Sequence, residues 1–248
     1  DNPVACWRLN ETNGTIAYDQ MGLRNGSYTT NVALGRVGPR PPEFLGFAPT
    51  NHAVHFTNNV THSWGYILFG LNLNTNTVTI TAWIHPIGSQ ADSAGLFFCR
   101  SGSTVAGLNY GSVGSGNAQT LGYTWNNLGG TWGWNSRLLP PANRWSFVAL
   151  VVQPASATLY LANSDGVQSA TNVLNHPNQA FATVSIIGTD PFARNARVFN
   201  GLIDEVAVFN YSLTPAQIQS LYANGSRLPE IQLSLQPSGG NLNVAWPQ

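Results

Sequence analysis

Hydrophobic and polar positions alternate with period two along much of this 248-residue chain, and Gly, Asn and Pro punctuate the alternating stretches. Side chains on an extended backbone point to two faces in turn, so such a run predicts a strand half-buried against a core. The pattern places strands at residues 4–9, 53–57, 78–85, 95–100, 121–125, 145–153, 158–162, 184–188 and 202–209. In the third of these, Val78, Ile80, Ala82 and Ile84 share one face, and Thr79, Thr81, Trp83 and His85 share the other. The run from Trp145 is nearly all apolar, the pattern of a central strand covered on both faces. Many short strands with no helical pattern between them predict an all-β sandwich or barrel.

One helix interrupts the rhythm near the end. Thr214 suits an N-cap, Pro215 the first helical position and Gly225 the C′ position; Ile218, Leu221 and Tyr222 form an apolar stripe between them. Beyond it, residues 227–230 read as a linker. Residues 231–235 and 242–246 alternate around Pro237-Ser-Gly-Gly as a hairpin with no core of its own. The expected organisation is therefore one sandwich domain over residues 1–226. Residues 227–248 are then a linker and the start of a following β module, or an edge hairpin of the same sandwich. The first alternative makes this part of a longer multi-module chain.

Composition sharpens this picture. Charged residues make up 8% of the sequence, ten acids against ten bases, and every base is arginine. A usual share is near 25%, so this chain lacks the electrostatic footprint of a nucleic-acid or anionic-membrane binder. No apolar run approaches the ~20 residues that span a bilayer. The chain opens at Asp1, which reads as a mature or excised segment. Cys6 and Cys99 either pair in an oxidising compartment or sit as two buried thiols.

Candidate chemistry is sparse. His52 and His55, with His62 nearby, look like a metal motif, but residues three apart on a strand face opposite sides. The stretch from Tyr123 to Arg137 is richer: Trp125, Trp132 and Trp134 cluster with Asn126, Asn135 and Arg137, and Gly129, Gly130 and Gly133 make it turn-like. Sugar rings present C–H faces that pack on indole, while their hydroxyls need amide or guanidinium partners. Either this loop grips a glycan, or it folds back and its tryptophans cover the end of the sandwich.

Three segments carry a resemblance. Trp7-Arg-Leu-Asn-Glu with Ala17-Tyr-Asp-Gln, Thr79-Ile-Thr-Ala-Trp-Ile-His-Pro, and Phe199-Asn-Gly-Leu-Ile-Asp-Glu-Val-Ala-Val-Phe-Asn followed by Leu213-Thr-Pro-Ala-Gln-Ile resemble bacterial laminin-G-like domains of the concanavalin A-like lectin/glucanase superfamily. The resemblance covers roughly residues 1–226. It implies a two-sheet antiparallel jelly roll with one short C-terminal helix and an extracellular or cell-surface location. It also implies roles in carbohydrate binding, adhesion or spacing between modules. Related domains often hold a structural calcium ion with acids at the positions of Asp19 and Asp204. The alternative is that Asp19 caps a turn and Asp204 bonds neighbouring backbone.

Glycosidases of that superfamily alternate their catalytic acids along one strand. No two acids here are spaced i, i+2, and the adjacent pair Asp204-Glu205 should point to opposite faces. The expected function is thus a non-catalytic carbohydrate-binding module, with a polysaccharide or glycan as partner. The alternatives are an adhesion or spacer module and, least favoured, a divergent glycoside hydrolase.

Overall fold

The structure, a computed structural model, describes residues 2–57, 65–101, 104–181, 184–226, 234–238 and 241–245. In chain order the first strands are β1 (Ala5–Trp7), β2 (Ile16–Ala17), β3 (Gly26–Tyr28), β4 (Ala33–Val37), β5 (His52–Phe56), β6 (Ile67–Phe69) and β7 (Asn74–Thr75). There follow β8 (Val78–Pro86), β9 (Gly95–Ser101), β10 (Thr104–Tyr110), β11 (Leu121–Trp125), the one-turn helix α1 (Gly129–Trp132), β12 (Ser146–Gln153), β13 (Ser156–Asn163) and β14 (Gly166–Asn172). The chain continues through β15 (Gln179–Ala180), β16 (Ser185–Ile187), β17 (Gly201–Phe209), the helix α2 (Pro215–Ser226), β18 (Ser234–Ser238) and β19 (Asn241–Ala245).

Two large antiparallel sheets face each other. The larger runs β14-β13-β12-β8-β17-β5-β4, with β1 also pairing with β17; the smaller runs β11-β10-β9-β16-β6-β3-β2. Between them lies the main core, to which the alternating strands contribute one face each: Val78, Ile80, Ala82 and Ile84 from β8, Phe97 and Cys99 from β9, Val148 and Leu150 from β12. This is the expected all-β, concanavalin A-like jelly-roll sandwich. β18 and β19 pair with each other as a separate two-stranded sheet. The first expected hairpin strand, at 231–235, coincides with β18 at residues 234 and 235, and residues 231–233 lie outside the described residues. The linker at 227–230, together with His62, lies outside the described residues.

The larger sheet is covered on its second face as well. Trp83, Phe147, Ala149, Val151, Ala207 and Phe209 point away from the main core into another apolar cluster, capped by Phe44 and Phe47 and by Ile218 of α2. Tyr222 stacks on Trp83 with ring centroids 5.7 Å apart. This double cover is why β12 is apolar in nearly every position. α2 starts as the sequence implies: the Gln217 N–H donates to Thr214 Oγ1, and the Thr214 N–H donates to Gln217 Oε1, a reciprocal capping box. Its end differs. The helix runs through Ser226, so Gly225 lies inside it and not at C′.

Packing explains Gly225. A Cβ there would stand 2.6 Å from Trp83 Cζ2 and 2.7 Å from Phe47 Cε2. At an exposed helical site, replacing Gly by Ala gains about 1 kcal/mol. Here the sign reverses, because the added methyl forces Trp83 and Phe47 apart. We expect Gly225→Ala to lower unfolding free energy by about 1–3 kcal/mol, read from urea denaturation; a stabilised variant would show that α2 is not seated on Trp83 in this way.

Candidate functional site

The centre of the larger sheet holds an irregularity that regular alternation hides. Strand β17 shares one edge between two partners, β5 at residues 201–203 and β1 at 206–208. At the changeover its register against β8 shifts, and Glu205 adopts φ +47°. Ile203 and Val206 both enter the main core, so the two residues between them share the outer face, as in a β-bulge. The expectation that Asp204 and Glu205 point to opposite faces is thereby corrected. Each acid ties down one strand end: Asp204 Oδ2 accepts from Asn51 Nδ2 at 2.6 Å, just before β5. Glu205 Oε1 accepts from Arg8 Nε at 2.8 Å, just after β1. Burial, reinforced by the Glu205 charge, holds the Asp204 carboxyl well above the ordinary aspartate range, and burial also raises Glu205.

Asp19 is also buried and differently employed. Its Oδ1 accepts from the N–H groups of Cys6 and Met21 at 2.8 and 3.0 Å, and its Oδ2 from those of Leu23 and Arg24 at 3.2 and 2.9 Å. A carboxylate has about four lone-pair sites, and here N–H donors fill them. Asp204 likewise faces the Asn51 amide and the Glu205 N–H. In this arrangement both acids are met by donors of the protein itself. No group of three or more His, Cys, Asp or Glu suited to a metal occurs among the described residues. Cys6 and Cys99 are free thiols on opposite sheets, and burial with nearby Glu205 and Asp19 pushes Cys6 up to about 12.

A groove of about 250 Å³ opens on the outer face of the smaller sheet, lined by Arg100 of β9, Thr124 of β11, Asn127, Trp132 of α1, Phe192 and Arg197. Ser93 and Ser112 add hydroxyls. Within the sheet, Gly107 of β10 lies between Thr124 and Phe98, and a Cβ there would meet the Phe98 ring at 2.5 Å. One wall is the loop from Asp190 to Arg197. Asp190, 1% exposed, receives Arg100 in bidentate fashion at 3.0 and 3.1 Å and Arg197 at 2.6 Å. It also caps its own turn by accepting from the Phe192 N–H at 3.0 Å. Phe192 is held out to solvent, 68% exposed, between the two guanidiniums at 5.1 and 4.7 Å.

The opposite wall comes from the Trp- and Gly-rich stretch. Asn126 and Asn127 take left-handed φ of 50° and 53° and turn the chain out of β11. Thr131, fully buried, bonds back to that turn: Oγ1 accepts from the Trp125 N–H at 3.0 Å and donates to the Leu128 carbonyl at 2.7 Å. This fixes α1, a single helical turn where only turns were expected, and projects Trp132, 45% exposed, over the groove.

The expected binding residues separate accordingly. Trp125 is fully buried with its Nε1 donating to the Pro177 carbonyl at 2.7 Å, so its faces belong to the core. Trp134 is half-buried against that core, edge-on to Tyr123. Asn126 is exposed and accepts from Gln179 Nε2 at 3.3 Å. Asn135 accepts from the Arg137 N–H at 2.9 Å, and both are exposed without lining the groove. Of the six, Trp132 alone lines it. Arg100, Asp190, Phe192 and Arg197 escaped the sequence reading. Asp190-Pro-Phe followed by Arg194 and Arg197 was the available signal, a capped turn with two arginines in a chain that has few.

An antiparallel two-sheet jelly roll with an aromatic-rimmed polar groove on one sheet defines a lectin-like sandwich. Residues 59–219 match the family described as the concanavalin A-like lectin/glucanases superfamily, and the chain belongs to it. No curated protein matches the sequence. Among solved structures, domain 4 of AbnA, a GH43 extracellular arabinanase from Geobacillus stearothermophilus in complex with arabinotriose, aligns with TM-score 0.57 at 16% identity, over 89% of this chain and 98% of that one. The botulinum neurotoxin serotype G binding domain aligns with TM-score 0.58 at 10% identity, over 89% and 50%. Trypanosoma rangeli sialidase aligns with TM-score 0.52 at 12% identity, over 88% and 32%. This chain thus spans about half of the toxin domain and a third of the sialidase. At these identities the likeness is one of fold.

Two measurements probe the buried acids. The folded state binds the Asp204 proton more tightly than the unfolded chain does. The stability this gives is whole below the ordinary value of 3.8 and is lost as pH rises through the raised folded value. Asp204→Asn should therefore gain on the unaltered protein as pH rises from about 4 to about 8 in urea unfolding; a constant difference would contradict the buried, raised carboxyl. Asp19→Asn should cost about 2–3 kcal/mol through its lost N–H acceptors. Melting with chelator against melting with calcium separates the two roles of Asp19: a fall in chelator assigns an ion there, and an unchanged Tm leaves a clasp on the backbone.

Proposed function

We propose that this chain is a non-catalytic carbohydrate-binding module of an extracellular or cell-surface protein, and that the groove beneath Trp132 takes the glycan. The observation that carries the reading is Trp132 itself. Among the described tryptophans, Trp7, Trp83, Trp125 and Trp145 are buried and Trp134 is half-buried, whereas Trp132 is 45% exposed. An indole held in water by a rigid turn, opposite a second exposed ring, costs apolar exposure that a ligand face would relieve. Thr124, Asn127 and the two arginines supply the hydrogen-bonding partners that sugar hydroxyls need.

The non-catalytic half of the proposal rests on what lines the groove. Glycosidic hydrolysis ordinarily takes two carboxyls flanking the bond, and no Asp or Glu is among the lining residues. The adjacent acids Asp204 and Glu205 lie on the other sheet, the first fully buried and the second paired with Arg8. The arabinanase domain captured with arabinotriose supports a glycan ligand and an extracellular setting for this fold.

Titration with a panel of soluble polysaccharides, followed by tryptophan fluorescence, tests the reading. Removing the indole face strips apolar contact of order 1.5 kcal/mol, so Trp132→Ala should weaken binding about tenfold. Trp134→Ala should lower stability and leave affinity nearly unchanged. Binding unaffected by Trp132→Ala moves the site elsewhere; no binding to any glycan favours the adhesion or spacer role.

A further inference from the structure

Arg100 and Arg197 determine the charge of the groove. Both line it, and no carboxylate does. The acid between them, Asp190, is 1% exposed and has both oxygens engaged with the two guanidiniums and the Phe192 N–H. One carboxylate against two guanidiniums leaves a positive charge at the groove wall. Arg100 uses Nε and Nη2 on Asp190, and Arg197 uses Nη1. Nη1 of Arg100, and Nε and Nη2 of Arg197, have no partner among the described residues. These donors are oriented in advance, since Asp190 fixes one edge of each guanidinium and Phe192 packs against both planes.

A fixed guanidinium edge is matched to a planar, charged acceptor with two oxygens. A neutral sugar has hydroxyls for these donors but nothing to balance the charge. One acid stands near the rim: Asp92, exposed, accepts from Ser93 Oγ at 3.5 Å. Being exposed and absent from the groove lining, it offsets the buried-edge arginines only weakly. Arg194, exposed on the same loop, lies over the Tyr66 ring at 5.6 Å and does not line the groove. Resting on the reading of this groove as a glycan site, we infer that its ligand is an acidic glycan. A sugar carboxylate, as in a hexuronic acid unit, takes the open edges of Arg100 and Arg197 while the ring packs against Trp132.

The test compares polygalacturonate, alginate and hyaluronate with the carboxyl-reduced form of each, by calorimetry and affinity electrophoresis on the unaltered protein. The expected result is that at least one acidic polymer binds about tenfold or more tightly than its reduced form, with the difference shrinking as salt rises. Arg197→Gln should bring the acidic polymer to the reduced level. The comparison on the unaltered protein stands even where that variant fails to fold. If reduced or neutral glycans bind as tightly as acidic ones, and Trp132→Ala weakens them, the acidic preference is overturned and the glycan site stands. A selective acidic polymer whose affinity a folded Arg197→Gln leaves unchanged overturns the arginine assignment. Binding to no glycan, acidic or neutral, removes both readings.

Discussion

A carboxylate taken out of water must be met by donors, and among the described residues three acids, Asp19, Asp190 and Asp204, are placed that way. Asp19 gathers four backbone N–H groups and holds the loop after β1 against that strand. Asp204, with Glu205, joins the ends of the two strands that share the edge of β17. Asp190 draws together a strand arginine and a loop arginine ninety-seven positions apart, and so builds a wall of the groove. Removing any one of these acids leaves its donors unpaired in the interior, which costs more than the bond itself contributes. Sheet edge, central bulge and groove depend on the same rule.

The two sheets answer burial differently, and this decides where a ligand fits. The larger sheet is closed on both faces: the main core on one side, and on the other α2 with Phe44 and Phe47 seated over Trp83. Two glycines permit that seating, since a Cβ at Gly46 would strike the Asn224 carbonyl and one at Gly225 would strike Trp83. The outer face of the smaller sheet carries two loops in place of a helix. Each is stiffened by a short polar residue bonded to its own turn, Thr131 on one side and Asp190 on the other. Rigid loops over a sheet floor present exposed rings without collapsing over them, the condition for a pre-formed site.

Much of the sandwich is legible in the sequence because burial on one face writes period two into a strand. The strands read from alternation, such as β8 and β17, place one face in the main core. Those missed lack the signal for physical reasons. β14 is an edge strand, mostly exposed, that holds its place by backbone pairing to β13 and has almost no apolar face to show. β10 alternates, but its outward positions include Gly107, which must be small to pass under Phe98. The bulge at Asp204-Glu205 is invisible to a strict period because it changes the period. The site was legible only through Trp132. Its partners are drawn from β9, β11 and the loop after Asp190, and no local pattern announces which arginine meets which acid.

The scarcity of charge gives those arginines their weight. In a highly charged protein a pair of guanidiniums adds little to a surface field built from many groups. Here 8% of residues are charged and the net charge is zero, so little long-range attraction guides a ligand. Discrimination has to arise at contact, from donors already oriented and partly screened from water. Arg100 and Arg197 meet that condition, their side chains 20% and 26% exposed and anchored on one buried acid. On the proposed reading the Asp190 clasp serves fold and recognition together: the bonds that close the loop onto β9 also aim the donors that remain.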